Sequence, residues 1–175
     1  PNRYVIRAID GKSLPSGPVP EAELISKIAA GIEQNIAFWV GWIGGFHAQS
    51  PSEPNTLKPP YERNGAFGFA SAAKFNLRDD QALVVTVRTG DARYMGMQVT
   101  DLWGIAPSPV DHISSYNESQ VYKNPDGSIT VVISKADPGV ANWVSTVGWN
   151  RGWMFFRWQG AVSYTHLRAH ETRPY

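Results

Sequence analysis

The sequence predicts a mainly β protein, an antiparallel β-sandwich of jelly-roll-like kind with one helix ahead of it. Three observations predict it. From Phe67 onward apolar residues recur with a period of two, as on strands with one buried face. Turn-forming clusters punctuate these runs: Asp79-Asp80, Gly90-Asp91, Asn124-Pro125-Asp126-Gly127 and Asp137-Pro138-Gly139. No helical period lies between them, which argues against alternating strand–helix units.

Taken in order, residues 1–19 hold one candidate strand, Tyr4-Val5-Ile6, then a linker marked by Pro15 and Pro18. Residues 20–40 read as a helix. Ile25, Ile28, Ala29, Ile32, Ile36, Trp39 and Val40 recur at three and four spacing, so they share a face. Pro20 suits the first position, and Glu21 and Glu23 suit the positive end of the helix dipole. Gly31 weakens the middle by about 1 kcal/mol against alanine. Residues 41–64, with Gly44-Gly45, Pro51, Pro54, Pro59 and Pro60, read as a long irregular loop of the kind that carries function.

Residues 67–77 form the first predicted strand, with Phe67, Phe69, Ala73, Phe75 and Leu77 on one face. Residues 81–89 follow, with Leu83, Val85 and Val87 inward. Gly90-Asp91 then reads as a two-residue hairpin turn. Residues 93–103 return, with Met95, Met97 and Val99 facing one way. The Asn-Pro-Asp-Gly turn separates strands at 120–123 and 128–134, and 152–158 is the last strand. The chain therefore divides into an N-terminal extension (1–66), a sandwich (67–161) and a tail (162–175).

That tail begins VSYTHLRAHET (Val162 to Thr172), which resembles a translated transposase sequencing adapter. It is expected to be non-native, with the sandwich truncated before it. His166, His170 and Glu171 would otherwise be the leading metal set, and they are set aside with it. No metal and no cofactor is expected.

Composition narrows the function classes. At 175 residues and 42% hydrophobic, the chain suits one domain with a real core. A net charge of +1 gives no bulk attraction to nucleic acid. No apolar run reaches the roughly 18 residues of a membrane span. Without cysteine there is no disulfide, thiolate zinc site or thiol nucleophile. Nucleophile-elbow, phosphate-loop and dinucleotide motifs are absent from the sequence.

The remaining candidates are scattered. His47, Asp101, His112 and Asp137 are the acid–base groups an enzyme would draw on. Asp111-His112 with Ser114 and Ser115 has triad residue types, but neighbours on a strand face opposite ways. Asp79-Asp80 reads as a turn. Most of the seven tryptophans are expected in the core, with Trp42 and Trp149 in loops as ligand contacts. Arg93 and Arg157 fall on strands and are expected to pair with Asp101 or Asp137, with anion binding as the alternative role.

Three runs carry a resemblance: DDQALVVTVRTGDARYMGMQVTDLW from Asp79, SSYNESQVYKNPDGSITVVIS from Ser114, and DPGVANWVSTVGWNRGWMFFRW from Asp137. In their order and spacing they resemble a bacterial family known as domain of unknown function 1214. The likeness covers residues 79–160. Two positions depart from the family pattern. Val144-Ser145 stands where a Leu-Asp is common, and Gly148-Trp149 where a Gly-His step is common. The resemblance implies a β-sandwich-like domain with helical additions, and no established reaction. The expected function is a binding or accessory domain for an apolar or carbohydrate-like small molecule. Its candidate contacts are Trp42, Arg93, Tyr94, Asn117, Asn142, Trp149 and Arg157. The alternative is an enzyme built on the scattered acid–base residues.

Overall fold

A computed structural model describes residues 8–12, 17–48, 53–63, 68–162 and 170–174, with the side chains of 42, 44–48 and 170–174 outside the description. Helix α1 spans Glu21–Ala48. Nine strands follow among the described residues: β1 (Tyr61–Glu62), β2 (Phe69–Asn76), β3 (Ala82–Val87), β4 (Tyr94–Thr100), β5 (Ser115–Asn117), β6 (Ile129–Ser134), β7 (Trp143–Ser145), β8 (Arg151–Gln159) and β9 (His170–Pro174). The protein is mainly β, as expected, and sandwich-like with open sheets. Its contacts divide it into two units, residues 1–48 and 49–175.

In the first unit the helix starts where expected, and Leu24 N donates to Pro20 O at 2.9 Å. It does not stop at Val40. It runs on through Gly41 and Gly44-Gly45 to Ala48, so Trp42 and His47 belong to a helix rather than a loop. Glycine lowers helix propensity by about 1 kcal/mol without forbidding the conformation. The apolar face at Ile25, Ile28, Ile32 and Ile36 is exposed. No helix among the described residues is long and apolar enough to cross a membrane.

The second unit holds two sheets. One has the order β1-β2-β8-β4-β5; the other has the order β7-β6-β3-β9. The period of two is what builds them. Met95, Met97 and Val99 on β4 lie opposite Trp158, Phe156 and Met154 on β8, and all six are buried. In the facing sheet Leu83, Val85 and Val87 lie opposite Ile133, Val131 and Ile129, all with essentially no exposure. These two inner faces form one continuous hydrophobic cluster. The four-stranded sheet is mixed rather than wholly antiparallel, because β7 runs parallel to β6.

The chain contradicts the expected hairpin at Gly90-Asp91. The turn is there, but β3 and β4 do not pair; β3 bonds to β6 and β9, and β4 to β5 and β8. The turn instead carries the chain from one sheet to the other. Local turn chemistry permits a reversal without choosing the strand's partner, which is set by burying both inner faces. Residues 120–123 are likewise not a strand, although the turn after them forms, with Asn124 N donating to Ser128 O at 2.8 Å. Tyr4 to Ile6 lies outside the described residues.

Two exposed turn carboxylates tie strand ends together. Asp79 accepts from Asn150 Nδ2 at 2.8 Å and from Lys135 Nζ at 3.0 Å, so it clips the turn before β3 to the regions beside β6 and β8. The Asn150 hydrogen bond first, then Lys135, holds its carboxyl below the usual range. Asp126 is lowered mainly by the hydroxyl and backbone N–H of Ser128. A folded-state pKa below the unfolded value gives stability that is present above that value and lost as pH falls. Melting temperature is therefore expected to fall as pH drops below about 3.8. The gap between wild type and Asp79→Asn should close over the same range, as a pH series of thermal melts would show.

Candidate functional site

On β4 and β8 the residues between the buried ones face away from the sandwich core. Tyr94, Gly96 and Gln98 lie opposite Gln159, Arg157 and Phe155, and Gly96 and Gln98 also lie opposite Asn117 and Ser115 on β5. These side chains, with Tyr116 and Gln120, line a cleft of about 330 Å³ on the outer face of the five-stranded sheet.

Gly96 makes the cleft. It sits between Arg157 on one side and Asn117 on the other, and its missing side chain leaves a notch in the outer layer. The Tyr94 ring leans over that notch; a Cβ at position 96 would lie 2.6 Å from its hydroxyl oxygen. A glycine inside a strand often marks such a close approach. The opposite wall is Phe155, whose ring stacks on Trp153 with centroids 6.2 Å apart. Lys74 Nζ in turn lies 5.3 Å from the Trp153 centroid, so a cation caps the row.

Tyr116 Oη donates to Trp143 O at 3.1 Å, which fixes the phenol at the edge of the cleft. Burial, and secondarily the Asp137 carboxylate, raises its pKa, so it stays protonated through the physiological range. Asn117 is held by an Asx turn in which its Oδ1 accepts from Ser119 N at 2.9 Å and from Ser119 Oγ at 2.6 Å. Gln120 Oε1 accepts from Asn117 N at 3.0 Å.

Of the seven expected ligand contacts, the cleft gathers Tyr94, Asn117 and Arg157. The others lie elsewhere. Arg93 precedes β4, with its aliphatic stem against Gly160. Trp149 is half-buried after a turn in which its N–H donates to Thr146 O. The side chain of Trp42 is outside the description. Asn142 is a structural clamp: its Oδ1 accepts from Tyr122 N, and its Nδ2 donates to Tyr122 O and Thr130 O.

The expected ion pairs of Arg93 and Arg157 with Asp101 or Asp137 do not form. Asp101 Oδ1 accepts from the backbone N–H of Trp103 and Ile105, and Asp137 Oδ1 from that of Gly139. Short carboxylates after a strand meet nearby orphan N–H groups more readily than a distant guanidinium. Neither they nor exposed His112 line the cleft, and the side chain of His47 is outside the description. The expectation that tryptophan mostly fills the core also fails. Trp153 and Trp158 are buried at 2% and 1% exposure, whereas Trp39 and Trp103 are 50% and 64% exposed.

Gly96, Gln98, Tyr116, Gln120, Phe155 and Gln159 were not singled out by sequence, and Ser115 was named only beside Asp111-His112. The period of two contained part of the signal. Once Met95, Met97 and Val99 point inward, Tyr94, Gly96 and Gln98 must point outward.

No family model and no curated protein matches the chain. Among solved structures it is similar to an uncharacterised protein from Burkholderia cenocepacia, at TM-score 0.75 and 23% identity, over 95% of this chain and 47% of that one. It also matches a protein from Vibrio parahaemolyticus at TM-score 0.43 and 14% identity, over 58% of this chain and 28% of that one. The first likeness shows the fold, and this chain spans about half the length of that protein.

Proposed function

We propose that this chain is a small-molecule-binding domain whose ligand is carbohydrate-like and sits in the cleft over Gly96. The observation that carries the reading is the notch itself, walled by Tyr94 and Phe155 and ringed by Gln98, Asn117, Gln120, Arg157 and Gln159. Aromatic faces suit the C–H faces of sugar rings, and convergent amides suit their hydroxyls. The polar ring favours a carbohydrate over a purely apolar ligand. Membership of the domain of unknown function 1214 family is proposed beside it, on the order of the motifs between Asp79 and Trp158.

The test is calorimetry against a panel of neutral and acidic oligosaccharides, on wild type and on Gly96→Ala. A methyl at 96 fills the notch and meets only the far end of the exposed Tyr94 side chain, which can swing away. Binding is expected to weaken about 10-fold or more, with stability unchanged to about 0.5 kcal/mol. If no member of the panel binds wild type, or if Gly96→Ala binds as well as wild type, the reading fails.

A further inference from the structure

We infer that the ligand carries a single carboxylate at the notch, as in a uronate sugar, and that Arg157 receives it. This rests on the carbohydrate-binding reading above and names the class of sugar. Asn117, Gln120 and Arg157 turn only donors to the cleft, while Gln98, Gln159, Ser115 and Tyr94 can turn either a donor or an acceptor to a ligand. A backbone N–H can only donate, so the atoms that accept from Ser119 N and Asn117 N must be the amide oxygens of Asn117 and Gln120. Their Nδ2 and Nε2 ends are left without an intramolecular partner among the described residues.

The Arg157 side chain adds up to five N–H donors and forms no ion pair or hydrogen bond among the described residues. Among the described residues it is the one charged residue that lines the cleft, and no carboxylate of theirs lines it. Glu118, next in sequence to Asn117, is committed elsewhere; its Oε2 accepts from Met95 N at 2.8 Å. The Tyr116 hydroxyl already donates its hydrogen bond to Trp143 O. A neutral sugar presents hydroxyls that need acceptors as well as donors. A carboxylate needs only donors, and its planar pair of oxygens fits the guanidinium fork bidentately. One free positive charge among neutral amides matches a monoanion rather than a phosphate monoester.

Tetragalacturonate, its fully methyl-esterified form and a sulfated galactan tetrasaccharide separate the possibilities by calorimetry on the full chain. Wild type is expected to bind the acid about 10-fold or more tightly than the ester, an advantage that shrinks with added salt. Arg157→Gln should weaken acid binding until acid and ester bind alike, and Arg157→Lys should restore part of the preference. Equal binding of acid and ester by wild type would overturn the inference and leave the carbohydrate reading standing. A preference for the sulfated sugar over the acid overturns the carboxylate, and an acid preference that survives Arg157→Gln overturns the role of Arg157. Failure of all three to bind overturns the inference and the carbohydrate reading together. Arg157 is exposed, so neither variant is expected to disturb the fold.

Discussion

Gly152→Ala is expected to lower stability by about 3 kcal/mol, or roughly 10 °C in melting temperature. Gly152 opens the inner face of β8 opposite Phe75. A Cβ there would lie 2.6 Å from the Phe75 ring and inside van der Waals contact with the Thr100 carbonyl oxygen. Neither neighbour has room to retreat. Phe75 is 1% exposed, and Thr100 is main chain of β4, already paired to β8. Relief requires β4 and β8 to part at that end, at the expense of ladder hydrogen bonds. The contrast with Gly96→Ala makes the argument sharp. Both glycines lie in strands at a close approach, yet only one meets immovable atoms. Urea unfolding of the two variants side by side reads the difference, and a Gly152→Ala midpoint equal to wild type would refute the packing described for β8.

Asn142 carries the second large effect. Its side chain makes three hydrogen bonds, at 2.7, 2.8 and 2.8 Å, joining the segment at Tyr122 to Thr130 on β6. Its backbone sits at φ 56°, a conformation asparagine tolerates and alanine does not. Its carbonyl accepts from Val132 N, so the same residue also opens the parallel pairing of β7 with β6. Asn142→Gly removes the side-chain bonds but keeps the backbone at ease, and is expected to cost about 2 kcal/mol. Asn142→Ala adds the left-handed penalty, for about 3 kcal/mol. Chemical denaturation of both variants checks the order. Alanine no worse than glycine would mean the backbone at 142 is not held where the structure places it.

The strands that bury one face were legible in the sequence. At β3, β4 and β6 the alternation of apolar residues is a direct image of the pleat, whereas β2 and β8 also bury residues of their other face. Partner choice was not legible. Gly90-Asp91 has the chemistry of a hairpin, and only the need to bury Val85 against Val131, and Met97 against Phe156, sends its two strands to different sheets. β5 and β7 are three residues each, too short to show a period. At the site, Tyr94, Asn117 and Arg157 were named from the motif runs that hold them, Arg157 also as a strand arginine. Their convergence depends on Gly96, whose contribution is an absence of atoms. Asn142, Asp101 and Asp137 misled for a common reason. Residue type does not distinguish a side chain that fastens backbone, near like Asp101 and Asp137 or distant like Asn142, from one that meets a ligand.

The strand order places β8 between β2 and β4, although it is made long after both. During synthesis at about 5–20 residues per second, β2 and β4 wait several seconds with their facing edges unsatisfied. The two halves of the five-stranded sheet are therefore expected to join only when β8 inserts between them, a long-range step that seats Met154, Phe156 and Trp158 together. The outer cleft is finished by that same event, since Phe155, Arg157 and Gln159 arrive on β8. In this chain, completing the five-stranded sheet and finishing the outer cleft are one step.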